Sequence, residues 1–266
     1  MGATQQVLAS YGASFVGPLD DYTTDLAGAW SVARRLLTDS TGAIIRARRS
    51  SDNAETDIGT TASGELDTAS LLAFTGAGNG FLSKIYDQSG AGLDYSQATA
   101  ARQLRIVLSG VVDTNEGKPS AFGVNASDTM MSLASSVSSR CWMDSALATR
   151  NNVPYMGLHS SDNAGLVLNL CDAFSGNGFY PPNVSNYTLF SNGVSVAATV
   201  PSTWCYPQTK VLTITGDATS AAWYWGTDRD GLGRSFEGYM TERLIYSAIP
   251  ANVAAISQVL EDYLSL

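Results

Sequence analysis

Ser235-Phe236-Glu237-Gly238-Tyr239-Met240-Thr241-Glu242-Arg243-Leu244-Ile245-Tyr246 is a long alternating run near the end of the chain. Phe236, Met240, Leu244 and Tyr246 share one parity, whereas Glu237, Thr241 and Arg243 share the other, which predicts a long β-strand with one buried and one wetter face. Pro250 then stands where a first helical turn tolerates proline, and Val253, Ile256, Val259, Leu260, Tyr263 and Leu264 recur as an apolar helical stripe. A strand followed by a docked amphipathic helix closes the domain.

Upstream, short apolar runs alternate with clusters of Gly, Asn, Ser and Asp, the pattern of an antiparallel all-β domain. Strands are expected over 43–49, 80–86, 103–108, 165–170, 187–190, 194–199, 210–215 and 221–225, with Ser191-Asn192-Gly193 as a hairpin turn. Two short helices are expected among them. One would be capped by Asp25 and carry Leu26, Ala29, Trp30, Ala33, Leu36 and Leu37; the other follows Asp67 through Ala69, Leu72 and Ala73 to Gly76. The first twenty residues have no period, and Gly17-Pro18 before Asp20-Asp21 marks a turn. Residues 1–20, with apolar Val7, Leu8, Tyr11, Phe15 and Val16, therefore read as an attachment arm, and 21–266 as one domain.

The composition excludes several classes of function. With 44% hydrophobic and 15% charged residues in 266, the chain has the apolar content for a core. Its 15 Lys and Arg against 24 Asp and Glu give a net charge of −9, so nucleic acid is not an expected partner. Arg46, Arg48 and Arg49 precede Asp52, Glu55 and Asp57 and read as local ion pairs. Cys141, Cys171 and Cys205 are isolated and odd in number, which rules out a disulfide scaffold. The single histidine, His159, reads as a loop residue, and no zinc-ligand spacing exists. No run approaches the ~20 apolar residues of a membrane helix. Met1–Ser10 lacks the basic and apolar regions of a signal peptide, and Gln6 breaks a myristoylation motif, so the expectation is synthesis in a cytoplasm without general export or membrane insertion.

Three motifs carry a family likeness. Ala29-Trp30-Ser31-Val32-Ala33-Arg34-Arg35-Leu36, then Arg46-x-Arg48-Arg49-Ser50-Ser51-Asp52-Asn53-x-x-x-Asp57-Ile58-Gly59, then Ile85-Tyr86-Asp87-Gln88-Ser89-Gly90, resemble the N-terminal part of the α-L-arabinofuranosidase B catalytic domain. The likeness is strong over residues 27–107 and returns weakly over 226–246; residues 120–220 give no clear match. It implies a concanavalin A-like antiparallel β-sandwich, or jelly roll, here with short N-terminal helices and a C-terminal amphipathic helix. The Arg-Arg-Ser-Ser-Asp-Asn and Tyr-Asp-Gln-Ser-Gly signatures are also similar to those of bacteriophage structural proteins that carry this domain.

In the family, retaining hydrolysis uses a Glu nucleophile from the middle of the domain and an Asp acid/base from a Gly-rich loop before the last strand. Such chemistry needs two carboxyl groups roughly 5–5.5 Å apart. Asp228, in Gly226-Thr227-Asp228-Arg229-Asp230-Gly231, matches the acid/base, one residue closer to the following Glu-Gly than in the family. No glutamate lies between Glu116 and Glu237, which leaves aspartates such as Asp162 and Asp172, and the family's adjacent cysteine pair is missing. Trp223 and Trp225 share strand parity and lead into Asp228 and Asp230, an aromatic-plus-carboxylate arrangement suited to a sugar; the alternative is that both rings are core. Asp228-x-Asp230-Gly231 is a weak candidate for Ca²⁺, with an ordinary solvated turn as the alternative. Asp87 reads as an acceptor of backbone N–H groups in its own turn.

These features favour a non-catalytic virion structural protein, a head decoration, fibre or tail-associated lectin-like sandwich. Its residues 1–20 would bind other virion proteins or sister subunits in a homo-oligomer, its Trp223, Trp225, Asp228 and Asp230 would bind host-surface polysaccharide, and it would need no cofactor. The first alternative is an α-L-arabinofuranosidase-like glycoside hydrolase that degrades host polysaccharide. The second is a ligand-free capsid cement protein.

Overall fold

The computed structural model describes residues 14–135, 137–149, 156–160, 167–171, 188–196, 208–219, 224–227 and 235–266. In chain order its strands are β1 (Leu26–Ser31), β2 (Ile45–Arg49), β3 (Glu55–Ile58), β4 (Gly80–Ile85), β5 (Tyr95–Ser96), β6 (Arg105–Leu108), β7 (Val111–Val112), β8 (Thr114–Asn115), β9 (Lys118–Pro119) and β10 (Ala121–Gly123). They continue as β11 (Met131–Leu133), β12 (Ser138–Ala148), β13 (Met156–Ser160), β14 (Val167–Cys171), β15 (Thr188–Ser191), β16 (Val194–Val196), β17 (Lys210–Thr219), β18 (Tyr224–Trp225) and β19 (Gly238–Tyr246). The α-helices among the described residues are α1 (Thr68–Thr75) and α2 (Val253–Leu264), neither long and apolar enough to cross a membrane.

All pairings among the described strands are antiparallel; 17 strands run as one curled sheet in two layers, and β8 and β9 pair apart from it. In the first layer β1 and β10 lie against successive halves of β19, followed by β12, β17, β15 and β16. In the second, β3, β2 and β4 lead through β5 and β11 to β18, β13 and β14. A β6–β10 contact joins the layers. Trp30, Trp142, Ile214 and Ile245 of the first layer share one core with Ile45, Leu82, Tyr95 and Trp225 of the second.

β19 departs from the simple alternation read in the sequence. Ser145 pairs with Glu242 but Ala146 pairs with Met240, so Thr241 is an extra residue, a β-bulge. Before the bulge Met240 faces the inter-layer core; after it Arg243 and Ile245 do, while Leu244 and Tyr246 turn to the outer face. That outer face is not wet. There Leu244 and Tyr246 join Cys141, Met143 and Val211 under Ile256 and Leu260 of α2, so every residue of β19 from Met240 onward is buried.

The same two-sided burial explains the first expected helix. Residues from Gly28 to Ala33 are all buried, because β1 shows Trp30 to one core and Ala29 to the other. Such a continuous apolar run fits either structure by periodicity. Asp25, expected as a helix cap, has φ 60°, the left-handed region. Asp67 does cap α1, accepting from Ser70 N at 3.0 Å, with Gly76 at φ 58° closing it. The Asn192-Gly193 hairpin also forms, both residues at positive φ between paired Ser191 and Val194.

Of the segment read as an arm, residues 14–20 are described and lie on the domain. Leu19 is fully buried against Leu36, and the Arg35 guanidinium sits 3.8 Å over the Phe15 ring. Asp20 locks this contact, accepting from Gly17 N, Thr38 N and Thr38 Oγ1 at 2.9, 2.9 and 2.6 Å. α2 is fixed by Arg34, which pairs with the fully buried Glu242 at 2.8 Å, donates to Val259 O and lies 3.9 Å over the Tyr263 ring.

Two outcomes follow from this packing. A Cβ on Gly238 would run into the Leu147 carbonyl and come within 2.9 Å of Ala148 Cα, so Gly238→Ala should lower unfolding free energy by about 1–3 kcal/mol or more in denaturant titration. Burial opposes ionisation of Asp20, but the hydrogen bonds from Thr38 and Gly17 outweigh it and hold its carboxyl below the ordinary value. A depressed carboxyl stabilises fully above its unfolded value and loses that contribution as pH falls through the folded one. Thermal melts between about pH 5 and pH 2 should therefore fall less steeply in Asp20→Asn than in the parent.

Candidate functional site

β18 carries the chain into the Gly226–Gly231 segment that the sequence singled out. It lies between β11 and β13, with Trp225 opposite Met131 on one side and His159 on the other. His159 thus belongs to a strand, not to a loop. Asp228, Asp230 and Trp223 lie outside the described residues, as do Asp162, Asp172 and Cys205. The base of the Asp228 segment is described and is hydrogen-bonded. Thr227 bridges Ser235, Phe236 N donates to Gly226 O at 2.7 Å, and Asn125 Nδ2 donates to Ser235 O at 2.6 Å. Gly226 makes the turn at φ 94°, and Thr227 and Ser235 are buried.

Trp225 is not available to stack on a sugar. Its ring is fully buried, 5.8 Å from the Tyr95 ring and 5.2 Å from the Arg243 guanidinium, because β18 points it into the inter-layer core. For this residue the core alternative holds.

What positions β18 is a buried charge relay that sequence reading missed. Arg243 Nε donates to Asp144 Oδ1 at 2.6 Å, and its Nη1 donates to Tyr95 Oη at 3.1 Å and to the carbonyl of Tyr224 at 2.9 Å. Burial opposes the Arg243 charge, but Asp144 and Tyr95 outweigh it and keep the guanidinium protonated. The signal was present: Arg243 is a lone base in an apolar strand, and Asp144 the lone acid in another, Cys141-Trp142-Met143-Asp144. Unpaired charges do not survive such burial, so each implied the other.

Strand directions show where the described strands that precede Asp162, Asp172 and Asp228 end. β14 and β18 both run antiparallel to β13, hence in the same direction, and Cys171 at the end of β14 lies opposite Met156 at the start of β13. The described strands before Asp172 and before Asp228 therefore end on the same side of the sheet. Ser160, which precedes Asp162, lies opposite Tyr224 at the other end.

The remaining sequence candidates are structural. Asp87 accepts from Ala29 N, Ser89 N and Leu93 N, which is the turn role expected of it, and Gln88 is buried between Leu36 N and Arg34 O. Arg46 pairs with Asp57 at 2.7 Å and Arg49 with Asp52 at 2.6 Å, whereas Arg48 is held by neutral Gln103 and Asn53. Cys141 is a buried free thiol pushed up to about 12 by burial, and so inert. Among the described residues no group of His, Cys, Asp or Glu could hold a metal ion.

Removing one member of the relay should expose its energetic role. Asp144→Asn or Arg243→Met alone should each cost about 3–5 kcal/mol in denaturant titration, while Asp144→Leu with Arg243→Met should recover much of that loss.

A family model described as alpha-L-arabinofuranosidase B, catalytic, matches residues 20–167, more than half of the chain. No curated protein matches it significantly. Among solved structures, the fold is similar to a glutamate-to-glutamine mutant of a GH54 α-L-arabinofuranosidase soaked with 4-nitrophenyl α-L-arabinofuranoside, at TM-score 0.58 and 17% identity over 94% of this chain. It is also similar to an arabinofuranosidase complexed with arabinofuranosyl-α-1,2-xylobiose, at TM-score 0.53 and 16% identity over 94% of this chain. The chain spans 65% of the length of each of these neighbours. The match overturns the expectation of a non-catalytic virion protein, and with it the phage and cement readings: the shared signatures are those of a hydrolase catalytic domain. The chain belongs to the α-L-arabinofuranosidase B catalytic-domain family.

Proposed function

We propose that this chain is a glycoside hydrolase that releases terminal α-L-arabinofuranosyl groups. The observation that carries the reading is the family match across residues 20–167, which includes β1, the Arg46–Gly59 motif and the Tyr86–Gly90 turn. The curled two-layer sheet supports its finer reading as a concanavalin A-like jelly roll.

Hydrolysis with retention needs one carboxyl group to attack the anomeric carbon and another to protonate the departing oxygen, roughly 5–5.5 Å apart. Asp228 is assigned the acid/base role, on a segment whose base is pinned by Thr227, Ser235 and Asn125. Because no glutamate lies between Glu116 and Glu237, the nucleophile is assigned to Asp172, supported by the common exit side of β14 and β18. An aspartate is one methylene shorter than glutamate, so the assignment requires the backbone after Cys171 to stand closer to the sugar than in the family. Arg243 acts as a positioning residue, holding the Tyr224 carbonyl at the start of β18.

The test is hydrolysis of 4-nitrophenyl α-L-arabinofuranoside. The parent chain should release 4-nitrophenol, and Asp228→Asn and Asp172→Asn should each reduce kcat by about 10²–10⁴-fold with the melting temperature kept. Loss in Asp162→Asn with full activity in Asp172→Asn would overturn the nucleophile assignment. No release by the parent would overturn the reading.

A further inference from the structure

A polar cleft of about 890 Å³ opens between the Tyr86–Gly90 turn and residues 37–43, walled also by Asp20, Thr23 and Asp57. Its volume is in the range, about 300–1,000 Å³, of sites that take small organic ligands.

The chemistry of the wall narrows the ligand. Among the described residues Asp20, Asp39, Asp57 and Asp87 line the cleft and no Lys or Arg does, so a phosphate or uronate would face a wall of carboxylates. A divalent cation would need free carboxylate oxygens, but Asp20, Asp57 and Asp87 already accept from Thr38, from Arg46 with Tyr86, and from Ala29 with Ser89. These groups make the wall rigid. Burial, and then the hydrogen bond to Asp57, push the Tyr86 phenol up to about 12, so it stays a neutral donor to that carboxylate.

A second set of groups is left over. Among the described residues no hydrogen bond involves the hydroxyls of Thr23, Ser40 or Thr41, or the carboxylate of Asp39, all of which line the same cleft. Three hydroxyls that both donate and accept, one acceptor carboxylate and the ring of Tyr86 complement a neutral, hydroxyl-rich ligand. Gly42 and Gly90 leave the walls open, since nothing lies within 4 Å of where either Cβ would stand.

We propose that this cleft is a carbohydrate-binding subsite that holds the neutral backbone of a polysaccharide whose side units the hydrolase would cut. The inference rests on the proposed hydrolase reading for its choice of ligand, and it assigns Asp39, Ser40, Thr41 and Tyr86 as binding residues. The cleft makes polymer affinity separable from catalysis.

The experiment is isothermal titration of the full chain with arabinan and with arabinoxylan. Gly42 has no positive φ and has free space, so Gly42→Trp fills the cleft without backbone strain. The parent should bind one of the two polymers. Gly42→Trp and Tyr86→Ala should each weaken binding about tenfold, while Val194→Ser, at an exposed site outside the cleft, should not. No binding by the parent, or unchanged binding in both cleft variants with parental melting temperatures, would overturn the proposal. Release of 4-nitrophenol by the parent reports the hydrolase reading separately, so failure of one does not pass for failure of the other.

Discussion

Everything in this domain depends on two consecutive buried charges of opposite sign, Glu242 and Arg243, held on opposite faces of one strand. Neither could be buried alone, because an unpaired ion in such surroundings costs several kcal/mol. Glu242 is answered by Arg34 under α2, and Arg243 by Asp144 within the inter-layer core. The bulge at Thr241 decides which charge meets which face. Without that extra residue, the alternation set by Met240 would turn Glu242 and Arg243 onto each other's sides, away from both partners.

The same pair links scaffold to site. Arg243 joins β12 through Asp144, β5 through Tyr95 and β18 through the Tyr224 carbonyl, so one guanidinium ties both layers to the strand that delivers Asp228. On the outer face, Arg34 connects β19 to α2, and Tyr263 donates onward to Glu65 at 2.6 Å. The proposed active site thus hangs from a strand frame whose two buried charges are each paired. This suits hydrolysis, where the two carboxyl groups must hold a fixed separation while the sugar changes shape.

Much of this was legible in the chain. Alternating runs such as Gly80–Ile85, the Asn192-Gly193 turn and the stripe of α2 follow from local rules, and the structure shows them. The family was legible too, in motifs whose roles prove to be architectural, since Asp87 and Gln88 hold turns and Arg46 and Arg49 hold local pairs. What local rules could not show was burial on both faces. β1 therefore read as a helix, β12 was missed because Asp144 broke its apolar run, and β19 was given a wet face. Trp225 illustrates the limit for the site: its parity was visible, but whether that face looked to solvent or to the second layer was a tertiary fact. The virion reading failed for another reason, since it rested on a likeness to phage structural proteins and on a missing glutamate, whereas the motifs match a hydrolase domain.

β19, with its two paired charges, should be the last part of the fold to open. Native-state hydrogen exchange tests it directly. The amides of Leu244 and Ile245 in β19, and of Trp142 and Met143 in β12, should exchange only through global unfolding and share one maximal protection. Amides of β2 and β4 should exchange through smaller openings. If β19 exchanged faster than β2 and β4, the frame would lie elsewhere and the account would be wrong.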